Sequence, residues 1–432
     1  MTPASPARTR ISLFVGKGGV GKSTLAAATA VRDARASRRV LVVSTDQAHS
    51  LGDVLGVAVP PTGRREPVRV LAELDTGATE AGGSGARGAD AGGFLDALAI
   101  DTLALLEVRW RGVVDMLGGR FPESELDSVA PEELSALPGV QEVLGLHEVA
   151  ELADSGRWDH IVVDCASTAD ALRMLTLPAT FALYVERAWP RHRRLSAAAE
   201  DSRSTAVVAL LERISAGVER LSALLTDDAA VGAHLVLTAE RVVAAEAIRT
   251  LGSLALMGVR VDELIVNQVL VQDDSFEYRN LPEHPAFDWY AERIGEQRAV
   301  LAELEAAIGD VATVLTPHVA GEPIGPKALG ELLDSARRRG GSPPPGPLRP
   351  VVDLESGSGL HAVYRLRLEL SQIDSGALTL GRVDDDLIIG VGGVRRRVRL
   401  ASVLRRCTVA DAHLRGSELT VRFRPDPGVW PR

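Results

Sequence analysis

The stretch GKGGVGKST at residues 16–24 constrains the fold of this chain more than any other segment. It fits the pattern G-x-x-x-x-G-K-[ST], in which backbone N–H groups surround phosphate oxygens at the N-terminus of a helix. The flanks have the required character, because residues 11–15 are apolar like a buried strand and residues 25–35 form an alanine-rich helical pattern. The sequence therefore predicts a strand–loop–helix unit that binds a nucleoside triphosphate.

The polar side chains of this loop have distinct predicted roles. Lys22 reaches the β- and γ-phosphates as a point charge, the Ser23 hydroxyl coordinates Mg²⁺, and Thr24 donates to the α-phosphate. The nucleotide-binding residues predicted from this stretch are Gly16, Gly18, Gly19, Val20, Gly21, Lys22, Ser23 and Thr24.

Lys17 needs a separate explanation, because a second lysine at the phosphate that Lys22 contacts would meet like-charge repulsion. The remaining lysine is Lys327, and the chain otherwise uses arginine, so the loop is expected to need compact ammonium groups. One solution is that Lys17 reaches a nucleotide bound to a facing subunit, as an arginine finger does in trans. This interpretation predicts a homodimer; the alternative is that Lys17 is a solvent-exposed loop cation.

Composition excludes several classes of protein. The net charge of -10 gives no basic footprint for nucleic acid. No apolar run reaches transmembrane length, and residues 1–6 lack an apolar signal core, so we expect a cytoplasmic protein without an intrinsic membrane span. With Cys165 and Cys407 as the only cysteines, neither a disulfide framework nor a Cys-x-x-Cys zinc site is expected, and both are interpreted as core thiols.

Short apolar runs alternate with helical patterns over residues 1–336, which predicts a doubly wound α/β P-loop sheet. The further strand candidates are residues 40–44, 160–164, 235–238 and 264–267. Apolar stripes at helical spacing in residues 95–117 and 207–225 predict a helical subdomain over approximately 94–155 and 190–230. These stripes could be ordinary core packing or a groove for a client.

Two segments break this pattern. Residues 75–93 are rich in Gly and Ala and predict a flexible loop, and residues 337–350 predict a Pro/Gly linker. Residues 351–432 then show period-two alternation with turn residues, which predicts a small all-β sandwich. Its strand candidates are residues 364–370, 378–383, 386–391, 394–400 and 419–423. The run Arg395-Arg396-Arg397 could be a basic binding patch or the solvated face of a strand.

Two aspartates follow predicted strands and complete the candidate site. Asp164 ends a hydrophobic strand, where a carboxylate can orient the water ligands of magnesium, so it is assigned to the metal site. Asp46 ends another strand and could position the attacking water, or it could be an N-cap or loop residue.

Three motifs together resemble one family of deviant P-loop ATPases. GKGGVGKST is similar to the loop shared by the nitrogenase iron protein, the Min and Par positioning ATPases and the arsenical pump-driving ATPases. STDQAHSLGDVLG (residues 44–56) and DCASTADALRMLTLP (residues 164–178) resemble switch I and switch II of the arsenical pump-driving ATPases and of the related tail-anchored protein targeting factors. Residues 351–432 resemble, more loosely, the α-crystallin (small heat-shock) type domain.

The resemblance implies an ATP- and Mg²⁺-dependent homodimeric ATPase. It implies that Asp46 polarises the attacking water, that Lys17 is the intermonomer lysine and that Asn267 contacts adenine, with Pro317 as a candidate adenine wall. The switches depart from the family at four positions, namely Gln47, Ser167, Ala169 and Asp170. Loss of a proline or glycine there alters switch movement, so slow or conditional hydrolysis is expected.

The partner remains open. An arsenite-pump subunit needs thiolate ligands, and Cys165 and Cys407 are too few and too far apart in sequence to suggest such a site. A targeting factor is expected to have a Met-rich groove and a zinc-clasped dimer. Here the internal methionines are only Met116, Met174 and Met257, and no zinc motif exists. We therefore predict an ATPase that couples dimer closure to an unidentified protein client or membrane partner. The alternative is a nucleotide-gated binding or chaperone-like protein with little turnover.

Overall fold

The computed structural model describes residues 8–46, 50–72, 93–117, 140–168, 171, 185–187, 189–200, 202–271, 283–308, 311–341, 350–370, 373, 376, 378–391 and 394–430. Within these ranges the chain forms a ten-stranded sheet with flanking helices, followed by a four-stranded and a three-stranded antiparallel sheet. The predicted α/β P-loop-like architecture with a C-terminal all-β domain is therefore confirmed.

The large sheet contains the first ten strands. They are β1 (Arg10–Gly16), β2 (Arg39–Ser44), β3 (Pro61–Thr62), β4 (Val68–Leu71), β5 (Phe94–Ile100), β6 (His160–Asp164), β7 (Val231–Thr238), β8 (Val261–Val269), β9 (Thr313–Pro317) and β10 (Arg337–Arg339). Their order is β10-β9-β8-β7-β1-β6-β2-β5-β3, with β4 paired to β5. Within this sheet only β10 and β4 pair antiparallel. Strand β1 lies in the middle, with β6 and β7 parallel to it on either side.

Helices cover the sheet and add a helical layer. In chain order they are α1 (Lys22–Arg35), α2 (Ser50–Leu55), α3 (Thr102–Leu117), α4 (Val140–Asp154), α5 (Arg191–Glu200), α6 (Ser202–Leu225), α7 (Arg241–Met257), α8 (Pro285–Ile308) and α9 (Gly325–Asp334). Among the described residues, no helix is both long enough and apolar enough to cross a bilayer.

One part of the predicted helical subdomain is wrong. Residues 94–100 form strand β5, which pairs in parallel with β2, and helix α3 begins only at Thr102. Six of the seven residues of β5 are buried, so the apolar run is the signature of a strand covered on both faces. Leu95 and Leu98 also fit a helical stripe, because a run this short satisfies both periods. The second stripe, residues 207–225, does lie within helix α6.

The structure describes only the ends of the two predicted irregular segments. Arg337–Arg339, the start of the predicted linker, forms β10 and pairs with β9, so the large sheet continues to residue 339. Residues 342–349 of the linker lie outside the described residues, as does the predicted loop except Gly93.

Within its described residues, the C-terminal domain forms seven strands and a short α-helix. They are β11 (Val351–Ser356), β12 (Val363–Glu369), β13 (Leu378–Val383), β14 (Asp386–Val391), β15 (Val394–Arg399), α10 (Ser402–Arg405), β16 (Cys407–Arg415) and β17 (Glu418–Pro425). The sheets are β11-β12-β17-β16 and β13-β14-β15, and their apolar faces share one core. The sequence indicated neither β11 nor β16. Leu256, from helix α7, is fully buried in that same core.

The arginine run on β15 does not form a single basic patch. Arg397 lies 3.5 Å from the carboxylate of Asp386, whereas the guanidinium of Arg396 lies against Gly258 at the end of α7. Desolvation lowers the pKa of Arg396. The alternating strand face, rather than a continuous binding patch, is the interpretation that the structure supports.

A chain of buried polar side chains crosses the large sheet under the P-loop. The Ser12 hydroxyl lies 2.9 Å from His160 Nε2 and 3.1 Å from His234 Nε2. The opposite nitrogens of the two rings lie 2.8 Å from Asp33 and 3.0 Å from Glu263. Burial opposes ionisation of Asp33, but the hydrogen bond and charge of His160, with nearby arginines, outweigh it and lower the pKa of Asp33. The network therefore stabilises the fold through an ionised, buried carboxylate.

We expect Asp33→Asn to lower the free energy of unfolding by about 1–3 kcal/mol at pH 7, because His160 loses a charged partner. The pKa of Asp33 is lower in the folded than in the unfolded chain. The ionised carboxylate therefore contributes fully to the free energy of unfolding above its unfolded pKa of about 3.9, and this contribution is lost as the pH falls through the folded pKa. Urea unfolding across this pH range should show the difference from wild type shrinking towards acid. Asp334→Asn, at an exposed position, is the matched control.

Candidate nucleotide site

The P-loop leaves the sheet where β1 ends at Gly16. At this position φ is 154°, and a Cβ would lie 2.2 Å from the carbonyl oxygen of Val236 on the neighbouring strand β7. Only glycine fits that approach. Added Cβ atoms at Gly18 and Gly19 would meet nothing within 4 Å, so the middle of the loop borders open space in front of helix α1. The N-terminal N–H groups of α1 face this space, which is the arrangement that binds phosphate.

Lys22 is the first residue of helix α1 and is only 8% exposed. Its Nζ donates to the carbonyl oxygen of Lys17, at 3.1 Å, so the side chain folds back along the loop. Each ammonium has three donors, which leaves capacity for phosphate oxygens. Lys22 is thus held against the backbone of the loop, and its contact with the phosphates stays a prediction.

Asp164, at the end of β6, is the most unusual ionisable group of this region. Burial, the largest influence, raises the pKa of its carboxyl group to about 6; Ser23, Lys22 and Ser44 lower it, and Asp46 raises it. Ser23 and Ser44 are close enough to affect the carboxylate. Even so, neither carboxylate oxygen has a hydrogen bond of acceptable geometry within the described part of the chain.

An unpartnered buried carboxylate is costly unless something else supplies donors or charge. The water ligands of a magnesium ion would supply both, and Ser23, a loop hydroxyl next to Asp164, can supply a direct ligand. The donor set of Ser23 and Asp164 therefore fits Mg²⁺.

Switch I begins beside this carboxylate. The backbone N–H of Thr45 donates to the carbonyl oxygen of Asp164 at 3.0 Å, and the backbone N–H of Asp46 donates to the Ser44 hydroxyl at 3.2 Å. The Ser50 hydroxyl, at the start of α2, lies 3.0 Å from that of Ser23. The structure thus brings Asp46 to the same sheet edge as Asp164. Gln47, one of the departures from the family pattern, lies outside the described residues.

The Lys17 side chain lies against helix α7. It is 45% exposed, and its Nζ lies 3.9 Å from a carboxylate oxygen of Glu246 on this helix. Gly16, Lys17, Thr168 and Glu246 line a small cavity between the loop and α7. An ion pair this exposed contributes only about 0–1 kcal/mol, so it is easily exchanged for another partner.

Switch II follows Asp164 directly. Cys165 is buried, and burial, followed by the charge of Asp164, raises the pKa of its thiol to about 12, as expected for a core thiol. The carbonyl oxygen of Ser167 accepts a hydrogen bond from the N–H of Ala171 at 2.9 Å. Ala169 and Asp170, the remaining departures from the family pattern, lie outside the described residues.

The two residues implied in adenine binding lie on neighbouring strands. Asn267 is only 6% exposed, and both ends of its amide are engaged: Nδ2 donates to the Val20 carbonyl oxygen at 2.9 Å, and Oδ1 accepts from Thr316 at 2.8 Å. Pro317 ends β9 and pairs in register with Val269 on β8. Asn267 therefore contacts the P-loop itself, and its adenine role stays a prediction.

Three polar residues at this site were missed by sequence reasoning: Glu246 beside Lys17, Ser50 beside Ser23, and Thr316 beside Asn267. Ser50 lies in the segment that resembles switch I, so its position was marked but its contact was not, and Thr316 lies next to the candidate Pro317. Glu246 lies inside an ordinary amphipathic helix and carries no sequence signal.

A glycine-rich loop at the carboxyl end of a central parallel strand, with two aspartates from adjacent strand ends, defines a P-loop nucleotide-binding protein. Comparison with known families agrees: a model described as "Anion-transporting ATPase" matches residues 9–335, and one described as "HSP20-like domain found in ArsA" matches residues 361–423. The chain belongs to the anion-transporting ATPase (ArsA) family.

Relatives share both parts of the chain. "Protein Rv2184c" of Mycobacterium tuberculosis is 76% identical over 427 residues, 99% of each chain. An uncharacterized protein of Streptomyces coelicolor is 34% identical, over 98% of this chain and 99% of that protein. A "Putative arsenical pump-driving ATPase" of Chlorobaculum tepidum is 25% identical over 96% of each chain. Other relatives are named arsenical pump-driving ATPases, which supports nucleotide binding and ATPase activity at the level of the family.

We expect Asp164→Asn to separate metal binding from folding. The amide keeps the shape but removes an unpartnered buried charge, so the thermal midpoint of the nucleotide-free protein should be equal to or above that of wild type. Mg²⁺ affinity in the presence of ADP, measured by titration calorimetry, should fall by about 10- to 100-fold. A lower midpoint with unchanged Mg²⁺ affinity would contradict this assignment.

Proposed function

We propose that this chain is an ATP-binding and ATP-hydrolysing homodimer that couples nucleotide-driven closure to binding of a protein client or membrane partner. The observation that carries the proposal is the buried Asp164 carboxylate, whose oxygens make no hydrogen bond of acceptable geometry among the described residues although Ser23, Ser44 and Asp46 lie nearby. A purely structural carboxylate at this depth would be expected to have donors. A carboxylate that binds the water ligands of a cation beside a triphosphate would not need protein donors.

The chain's own residues divide the work of hydrolysis. The N–H groups of the loop and of the start of α1, with the Lys22 ammonium, hold the phosphates and stabilise the charge that develops as the terminal phosphoryl group leaves. Mg²⁺, bound by Ser23 and oriented through Asp164, would supply Lewis-acid polarisation of the phosphate oxygens. Asp46, at the end of β2, orients the attacking water and accepts its proton.

The dimer part of the proposal depends on Lys17. Its side chain is half exposed, and its carboxylate partner Glu246 is 3.9 Å away, so the intrachain contact is weak. In a dimer that faces the two P-loops together, Lys17 could leave Glu246 and contact the phosphates of the opposite protomer. Hydrolysis would then require closure and would be slow without a partner, as the switch departures at Gln47, Ser167, Ala169 and Asp170 also favour.

The client is proposed to be a protein rather than a metalloid. Some relatives are named arsenical pump-driving ATPases. In this chain, however, Cys165 and Cys407 are both buried, and they belong to different domains, so they offer no paired thiolate site. The edge strand β11 exposes Val351 and Leu354, each more than half exposed, which supports a protein-interaction role for the β-domain.

We expect Asp46→Asn to lower ATP turnover by about 100-fold or more, because the attacking water loses its proton acceptor. ATP affinity, measured by calorimetry with Mg²⁺, should change little. The matched control is Asp53→Asn, an exposed aspartate in α2 of the same switch segment. Equal near-zero turnover in wild type and variant, with ATP still bound, would favour the alternative, a nucleotide-gated binding or chaperone-like protein.

The role of Lys17 in trans can be tested by mixing two inactive variants. Lys17→Ala and Asp46→Asn protomers should each turn over slowly as homodimers. A mixed dimer has one site with an intact Asp46 that receives Lys17 from its neighbour, so mixing should restore a substantial part of the activity. Lys327→Ala, at a lysine that is 90% exposed on α9, is the control. Wild-type turnover by Lys17→Ala, or no recovery on mixing, would refute the shared site.

A further inference from the structure

We propose that Thr316 is a positioning residue for the phosphate loop: its hydroxyl fixes the Asn267 amide, which anchors the Val20 carbonyl and so aims the Gly21 N–H at the phosphate. This inference rests on the proposed nucleotide site and adds a role for two residues outside the loop. The three side chains are almost completely buried, with Thr316 at 0%, Asn267 at 6% and Val20 at 3% exposure. Water therefore competes little for their hydrogen bonds.

The orientation of the Asn267 amide follows from its partners. The Val20 carbonyl oxygen can only accept, so the NH₂ end of the amide must face it, at 2.9 Å. The carbonyl end must then face Thr316, whose hydroxyl donates to it at 2.8 Å. Without the Thr316 hydroxyl, Oδ1 of Asn267 would be a buried acceptor that lacks this hydrogen bond.

Asn267 reaches the loop because strand β8 is irregular at this point. The register of β8 against β9 shifts between Val266 and Val269, and Gln268 has a φ of 59°, which is uncommon for a residue other than glycine. The buried Gln297 side chain on α8 holds this bulge: its Nε2 donates to the Gln268 carbonyl oxygen at 3.1 Å, and its Oε1 accepts from the Leu270 N–H at 2.9 Å. Such bulges re-aim side chains next to binding sites.

Anchoring the Val20 carbonyl has a direct consequence for the next N–H group. In a trans peptide the C=O of one residue and the N–H of the next point in opposite directions. With the Val20 oxygen held towards β8, the N–H of Gly21 points away from it. Gly21 has a φ of 94° and immediately precedes α1, and a Cβ there would lie 2.3 Å from Asn267 Nδ2. A side chain at position 21 would therefore collide with the Asn267 amide, so the amide can pack directly against the loop only because this residue is glycine.

A competing role for Asn267 is the adenine contact implied by the family resemblance. The two roles differ in whether loss of the Asn267 amide weakens the binding of a phosphate ligand that has no adenine. If Asn267 acts through the loop, a ligand that lacks adenine should feel its loss as strongly as a nucleotide does. If Asn267 acts at adenine, pyrophosphate binding should be unaffected. ADP and inorganic pyrophosphate are therefore the two probes.

The test compares Thr316→Val with Thr316→Ser by titration calorimetry on the full chain. Valine keeps the shape but cannot donate, so affinity for both ADP and pyrophosphate should fall by about tenfold. Serine keeps the hydroxyl and should restore both affinities to near wild type, which a simple packing role of the Thr316 methyl would not allow. Equal pyrophosphate affinity in wild type and Thr316→Val, or a loss confined to ADP, would overturn the inference.

A second variant covers the case in which Thr316→Val does not fold. Asn267→Asp has nearly the same shape but offers no donor to the Val20 carbonyl oxygen, so it should lose pyrophosphate affinity by a similar factor. Unchanged pyrophosphate affinity in Asn267→Asp would overturn the inference. Failure of the wild-type chain to bind either ADP or pyrophosphate would instead refute the proposed nucleotide function, so the two failures are distinguishable.

Discussion

The approach of two backbones at Gly16 is the constraint on which the nucleotide site depends. Strand β1 is held in parallel register on both sides, and Gly16 pairs with Val236 of β7 at the last position of that ladder. The absence of a side chain at Gly16 lets the chain leave the sheet there and enter α1 through the loop. The loop therefore opens at the edge where β6, β2 and β8 also end, and the side chains that follow those strands converge on it.

Convergence at one edge explains why so many polar groups are buried there. Asp164 and Asn267 are both more than nine-tenths buried, yet they are treated differently. The amide of Asn267 is satisfied at both ends, whereas neither Asp164 oxygen makes a hydrogen bond of acceptable geometry among the described residues, although the Ser23 and Ser44 hydroxyls lie nearby. A hydrogen bond from Asn267 holds the loop, whereas in the proposed site the Asp164 carboxylate is available to the water ligands of Mg²⁺. This division is what pre-organisation of a phosphate site requires.

Much of this arrangement could be predicted from the sequence, because the strands are continuous apolar runs and the loop has a fixed pattern. The fold class, the C-terminal all-β domain and the membership of the family were predicted correctly. Strand β5 was not, since a seven-residue apolar run fits two periods and only its pairing with β2 decides.

Contacts between distant residues were also beyond prediction. Asn267 and Val20 are 247 residues apart, and no local pattern encodes which of its partners an amide will face. The bulge at Gln268 that makes this contact possible depends on Gln297, a residue of another helix. Sequence reasoning placed Asn267 at the end of a strand candidate, and the tertiary structure shows that its side chain contacts the loop.

Helix α7 joins parts of the molecule that the sequence treats as separate. Near its start, Glu246 faces Lys17, and near its end, Leu256 is buried in the core of the β-domain. Ten helical steps separate these two residues, a distance of about 15 Å along the helix axis. One rigid helix therefore contacts both the loop cation Lys17 and the core of the β-domain, so a change in the packing around Leu256 would be felt at Glu246.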